Sequence, residues 1–252
     1  MKEIIKKELE SDLLTPKGFI WFILSSILLS ILSYLFLINR ELSLLDQSTM
    51  VFYLMEAILV LGILRTIVYG SDSYAGELER GTMEVLLIIP MNKSSIAYGK
   101  LISAFINWFI LFLISIPYLL VVGSRGQNIS SSVFYLFSFG TLTIIFFSSL
   151  SMILSIKLKA VKNASMVGIL LFFLLATTII LPASLKESWI GRSFDIVNPI
   201  AAAVNTFDSA VIDSEGLSFQ LRRLIVLIFY SFLFLMILKK VSNDKELFGV
   251  VE

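Results

Sequence analysis

Long apolar stretches alternate with short polar ones along the whole chain. Six stretches of 18 or more mostly apolar residues fall at 19–38, 50–70, 101–122, 133–156, 164–182 and 221–238. Each is long enough to cross a hydrocarbon layer of ~30 Å at ~1.5 Å per helical residue. Together they make up nearly half of the 252 residues, yet they hold only Glu56, Arg65, Arg222 and Arg223 of the 39 charged side chains. The pattern predicts an all-α polytopic membrane protein with six transmembrane helices, residues 1–252 forming a single transmembrane domain.

Three segments between these stretches keep a helical period. In residues 4–14, IIKKELESDLL, Ile5, Leu9 and Leu13 recur every four residues with charges between them, and Thr15-Pro16-Lys17 ends the run. This is an amphipathic helix expected to lie in the membrane interface with its apolar face down. A short helix packed on the protein's own loops is the alternative. In the connection 71–100, Leu78, Thr82, Val85 and Ile89 form one helical stripe, while Glu77, Arg80 and Glu84 share another. A helix over 77–89, stopped by Pro90, is predicted there, with a second short helix starting after Asn92 or at Ser94. In the connection 183–220, Ile200, Val204, Phe207 and Val211 mark a helix over 199–212 that opens at Asn198-Pro199. It is too short to span, and lies at the surface or dips back between spans, buried in protein.

Composition narrows the chemistry. At 57% hydrophobic and 15% charged, the chain departs from soluble domains, which run at about 45–50% and about 25%. It has no His and no Cys, which argues against triad hydrolases, zinc sites and thiol redox work. No enzymatic role is expected. The first apolar run of 20 residues is also too long for a cleavable signal sequence. With the N-terminus inside, 13 Lys and Arg fall on inner connections and six on outer ones, which places both termini in the cytoplasm.

Among the intramembrane polar residues, Glu56 and Arg65 stand nine positions apart on opposite helix faces and cannot pair with each other. Arg65 is near enough to the inner end to snorkel, whereas Glu56 is a candidate for an outward cavity or an interhelical bond. Ser26, Ser30 and Ser33 line one face of the first span, and Ser148, Ser151 and Ser155 one face of the fourth. Such stripes are usually helix contacts, with lining of a substrate path as the other possibility. Arg222 and Arg223 are expected to pair with nearby Asp208, Asp213 or Glu215, or with headgroups.

The run from Glu77 to Pro90, ELERGTMEVLLIIP, followed by Gly99-Lys100, resembles the signature of ABC-2 type permeases, the membrane subunits of type V ABC exporters. In that family E-x-x-x-G-T-x-E-x-L-L-x-x-P follows the second span and a Gly-Lys pair precedes the third. Glu77, Gly81, Thr82, Glu84, Leu86, Leu87, Pro90, Gly99 and Lys100 match it position by position. Residues 4–14 resemble the family's elbow helix, and Asn198-Pro199 with the helix behind it resembles its outer gate. The Asn-Pro helix and the D-x-x-V-I-D pattern at 208–213 are most similar to the gliding-type and nitrous-oxide-reductase-maturation-type permeases.

The resemblance implies a permease subunit of an ATP-driven exporter in the cell membrane. Its coupling helix 77–89 would dock on a separate ATPase through Glu77, Glu79, Arg80, Gly81, Thr82, Glu84, Leu86, Leu87 and Pro90. Glu56, Ser26, Ser30, Asn198, Pro199 and Phe207 are candidates for the translocation path or its gate. The implied partners are two ABC ATPase subunits, a second permease copy or paralogue and membrane lipid, with no nucleic acid. ATP and Mg belong to the ATPase and no cofactor or metal to this chain, since Gly99-Lys100 is followed by Leu101 and preceded five positions earlier by Ser94, which is no phosphate-binding loop. A secondary transporter and a non-transporting membrane scaffold are the alternatives.

Overall fold

The computed structural model describes residues 2–13, 15–38, 46–83, 93–124, 129–177, 188–189, 193 and 197–243. Eight helices account for nearly all of them: α1 (Lys2–Leu13), α2 (Pro16–Ile38), α3 (Gln47–Glu79), α4 (Lys93–Val122), α5 (Ile129–Leu158), α6 (Val161–Ala176), α7 (Pro199–Val211) and α8 (Leu217–Ser242). Helices α2, α3, α4, α5 and α8 are long and apolar enough to cross a membrane, and α6 is a shorter apolar helix. The predicted fifth span, 164–182, extends beyond α6 into residues 178–187, outside the described set.

Helices α3 and α5 form the centre, and the bundle closes around them. Leu54, Met55, Ile58, Ile63 and Ile67 of α3 are fully buried with Leu136, Phe139 and Phe147 of α5. By contrast, α2 and α8 turn Phe19, Ile23, Ile27, Ile225, Phe229 and Phe232 outward, the surface that a hydrocarbon solvent would wet. The two ends of the bundle differ. At one, α1 packs on α4 and α2 and bonds to α3 through side chains; at the other, α7 is inserted among α3, α5, α6 and α8.

Two boundaries depart from the sequence expectation. The helix predicted over 50–70 runs on to Glu79, 33 residues in all, or ~50 Å of helix against a ~30 Å hydrocarbon layer. It then stops at a left-handed glycine: Gly81 has φ +68°, its amide bonds back to Leu78, and the Thr82 amide bonds to Glu77. These are the paired bonds of a glycine C-terminal cap. One continuous helix over 77–89 is therefore not formed, because Glu77 lies in the last turn of α3 and the chain turns at Gly81, while Glu84 lies beyond the cap, in residues 84–92 outside the described set. A Cβ on Gly81 would meet nothing within 4 Å, so the position needs glycine for its backbone angle alone. The short helix expected near Ser94 is the first part of α4, continuous with the third span.

Trp108 locks the centre. Its indole lies between Gly62 of α3 and Gly140 of α5, where an added Cβ would come within 2.6 and 2.7 Å of the ring, and its Nε1 donates to Thr141 Oγ1 at 3.1 Å. Small residues here let α3 and α5 close on an aromatic side chain from α4. Gly140→Ala should lower stability by about 1–3 kcal/mol through overpacking, and much less in a Trp108→Leu background. Thermal unfolding of the purified variants measures both, and an equal loss in the two backgrounds would show that the indole is not the obstacle.

Candidate functional site

Charge collects where α1 meets α3 and α4. Glu8 and Asp12 are one turn apart on α1, Arg65 and Tyr69 one turn apart on α3, and Lys100 and Asn107 two turns apart on α4, so each pair projects from a single helix face. These faces converge. The Lys100 ammonium donates to Glu8 Oε1 at 2.6 Å and to Glu77 Oε1 at 3.2 Å, and it lies 5.4 Å from the centre of the Tyr74 ring. The Tyr69 hydroxyl donates to Glu8 Oε2 at 3.1 Å, and Lys7 reaches Glu77 Oε1 at 3.3 Å. One turn along α1, Asp12 accepts from Arg65 Nη2 at 2.6 Å and from Asn107 Nδ2 at 2.8 Å.

Burial makes these contacts count. The Lys100 side chain is 1% exposed, Glu8 8% and Glu77 6%, whereas Lys7 is 51% exposed. A buried ammonium is tolerated only where carboxylates and hydrogen-bond partners replace its hydration. Lys100 has two carboxylates and an aromatic face, which uses its bonding capacity fully.

This geometry bears on three sequence expectations. The side of α1 that faces the bundle is the one carrying Glu8, which is buried, while Ile5 and Leu9 are only half-buried. An acid with a buried lysine opposite it outweighs the Ile5-Leu9 stripe in choosing the docked face. Arg65 does not snorkel; it is buried and paired with Asp12. Glu77, expected on the docking surface, is buried against Lys100 in this chain.

The other described acids of the 71–98 region, Asp72 and Glu79, are also engaged within the chain. Arg80 pairs with Asp72 at 3.1 Å, two turns back on α3, and Glu79 Oε1 accepts the Val161 amide at 2.9 Å, capping the first turn of α6. The net acidity expected of this region is thus largely internal wiring. Of the remaining signature residues, Gly81 and Thr82 form the cap, and Glu84, Leu86, Leu87 and Pro90 lie outside the described residues.

The candidates for a path or gate are not gathered in one place. Ser26 and Ser30 of α2 both meet the Tyr118 hydroxyl of α4, at 2.7 and 3.0 Å, a helix-to-helix contact. Glu56 is half-buried on α3. Asn198 caps α7, its Oδ1 accepting from the Ile200 and Ala201 amides, while its Nδ2 donates to Leu175 O at the end of α6. Pro199 and Phe207 are buried on the same helix. Arg223, beside it, donates to Asn205 O, Ser209 Oγ and Gln220 Oε1. Ser148, Ser151 and Ser155 of α5 are buried against α3, with a Cβ on Gly70 coming within 2.6 Å of Ser151 Cβ. They form a close helix contact, not a lining.

Sequence reasoning missed Glu8, Asp12, Tyr69 and Asn107, and it assigned Lys100 no role beyond its motif. One signal was present. Two acids a turn apart, on a helix that directly precedes a span, are the natural counter-charges for an arginine and a lysine near the membrane boundary.

A bundle of long apolar helices is the architecture of a multi-pass integral membrane protein. The family model described as ABC-2 family transporter protein matches residues 4–238, and the chain belongs to that family. It is accordingly an ABC transporter permease subunit of the cell membrane, a transport component and not itself an enzyme, of a family that generally partners with ABC ATPase subunits. Among curated proteins none matches the chain.

Arg65→Met should lower stability by up to about 3 kcal/mol, since it leaves the partly buried Asp12 carboxylate with one partner fewer. Adding Asp12→Asn should restore a large part of that loss. Unfolding midpoints in detergent read both, and a double variant no better than the single one would remove the pair from the account.

Proposed function

We propose that this chain works in a dimer of permeases served by two ATPase subunits, as an exporter, with the end bearing α1 in the cytoplasm and six membrane passes in all. The segment from Arg80 through Pro90 is the ATPase contact, with Thr82, Glu84, Leu86 and Leu87 nearest the partner. At the opposite end, α7 with Asn198, Pro199 and Phe207 is the outer gate.

The observation that carries this reading is the pairing of Glu77 with Lys100. These two signature residues open and close the connection proposed as the contact, and here they are bonded to each other. A push on the connection would thus reach α3 and α4 together, and α1 through Glu8. The near absence of charge from the spans supports a lipid-like, drug-like or peptide cargo over a small ion.

Affinity purification from native membranes should bring down an ABC ATPase whose hydrolysis rises on reconstitution with this chain in vesicles. Glu84→Lys should weaken association and stimulation by about tenfold or more, the cost of placing a like charge or losing a counter-charge at a docked surface. A chain recovered without any ATPase, or a Glu84→Lys variant that stimulates fully, would contradict the docking assignment.

A further inference from the structure

The two carboxylates on Lys100 are held unequally. Both oxygens of Glu8 have a partner, Lys100 on Oε1 and Tyr69 on Oε2. Glu77 uses one oxygen for both of its cations, Lys7 and Lys100, and its buried Oε2 has no hydrogen-bond partner. The consequences of separation also differ. If Glu77 moves away, Lys100 keeps Glu8 at 2.6 Å and the Tyr74 ring, and Lys7 is already half in solvent. If Glu8 moves away, Lys100 keeps the Tyr74 ring but only the longer of its carboxylate bonds, to a group that it shares with Lys7, and Tyr69 loses its carboxylate partner.

A second feature sits less than two turns before Glu77. The hydroxyl of Ser155, on α5, accepts from the Tyr74 amide at 3.2 Å and the Ala75 amide at 2.8 Å, and donates to Ser71 O at 2.7 Å. Ser73 Oγ donates to Gly70 O at 2.6 Å. In a regular helix the Tyr74 and Ala75 amides face the Gly70 and Ser71 carbonyls. All four ladder groups therefore have a side-chain alternative, in a part of α3 where Ser73 to Glu77 are all buried. A side chain inserted into the ladder is one of the few causes of helix bending, and here it lets the ladder open without stranding buried backbone groups.

We infer that the end of α3, from Gly76 to Arg80, is a hinged arm: Ser155 supplies the joint, Glu77 is a releasable catch on Lys100, and Glu8 is the permanent clamp that holds Lys100 and α1 when the catch opens. The use of this arm in transport rests on the reading that the segment after Gly81 contacts an ATPase. The arm itself is a property of the isolated chain. Its test needs no partner, so a failed arm and a failed ATPase contact give separate results.

The test is amide hydrogen exchange and thermal unfolding of the full chain in lipid nanodiscs. Glu77→Gln should fold with an unchanged melting temperature and speed exchange in residues 76–80 by about tenfold, while α1 and the start of α4 keep their protection. Glu8→Gln should lower the melting temperature and deprotect α1 and the start of α4; failure of this variant alone to fold agrees with the clamp. In the Glu77→Gln background, Ser155→Ala should bring exchange in 76–80 back towards the parent rate, because opening the joint would then strand two buried amides. Three results would overturn the proposal: Glu77→Gln that fails to fold or loosens α1 as Glu8→Gln does, Glu77→Gln that changes exchange nowhere, or Ser155→Ala that speeds exchange further.

Discussion

A lysine ammonium cannot be taken out of water without its counter-charges, and the organisation of one end of this molecule follows from that constraint at Lys100. The ammonium is essentially inaccessible, so a carboxylate must come to it. Glu8 does so from α1 and Glu77 from α3, elements separated from Lys100 by 92 and 23 residues. Once Glu8 is committed, α1 is docked along the bundle, and Asp12 one turn later meets Arg65 and Asn107. Helix α1 is thereby tied to the helical core by ion pairs. Its attachment does not depend on the shallow apolar burial that its short Ile5-Leu9 stripe could offer.

The membrane-crossing part of this fold was legible in the sequence because a hydrocarbon solvent imposes a one-dimensional rule. Apolar runs of sufficient length must become helices with their backbone groups satisfied internally, and α2, α3, α4, α5 and α8 cover the runs that predicted them. Helix ends beyond the apolar runs were less legible. The extension of α3 to Glu79 passes through Gly70, Ser71, Asp72 and Ser73, residues of low helix propensity, and is held by tertiary contacts with Ser151 and Ser155 of α5. Gly81 stood in the sequence as an ordinary helical glycine because its periodic neighbours, Leu78, Thr82 and Val85, continue the stripe. Only the backbone angle shows that the chain turns there.

The site was legible in composition and not in pairing. Glu77, Arg80 and Glu84 share a helical face in projection, so the sequence suggested a local charged surface. In the fold Glu77 finds Lys100, Arg80 finds Asp72 and Glu79 finds the amide of Val161. Two of these three partners lie 23 and 82 residues away, beyond the reach of any periodicity argument. The difference has a physical root at Glu77, because solvated charges pair weakly and locally, whereas a buried carboxylate must find its partner wherever it is desolvated. Projecting helical faces is sound for the first case and misleading for the second.

The two ends of the bundle are held by different chemistry, and this bears on which of them can yield. At the α7 end the Asn198 amide joins two backbone amides to Leu175 O, and a network from Arg223 through Gln220 and Ser209 ties α8 to α7. Most of these are hydrogen bonds to backbone or neutral side-chain groups around a helix that is buried on nearly every side. Moving that helix would expose many such groups at once, so it opens as a unit or not at all. At the α1 end the contacts are mostly ionic, and Lys7 already reaches solvent. Ion pairs at such a boundary can exchange a protein partner for water one contact at a time, with Lys100 retained by Glu8 throughout. The end that carries the family signature is therefore the graded, deformable one, and the end closed by α7 is the cooperative one.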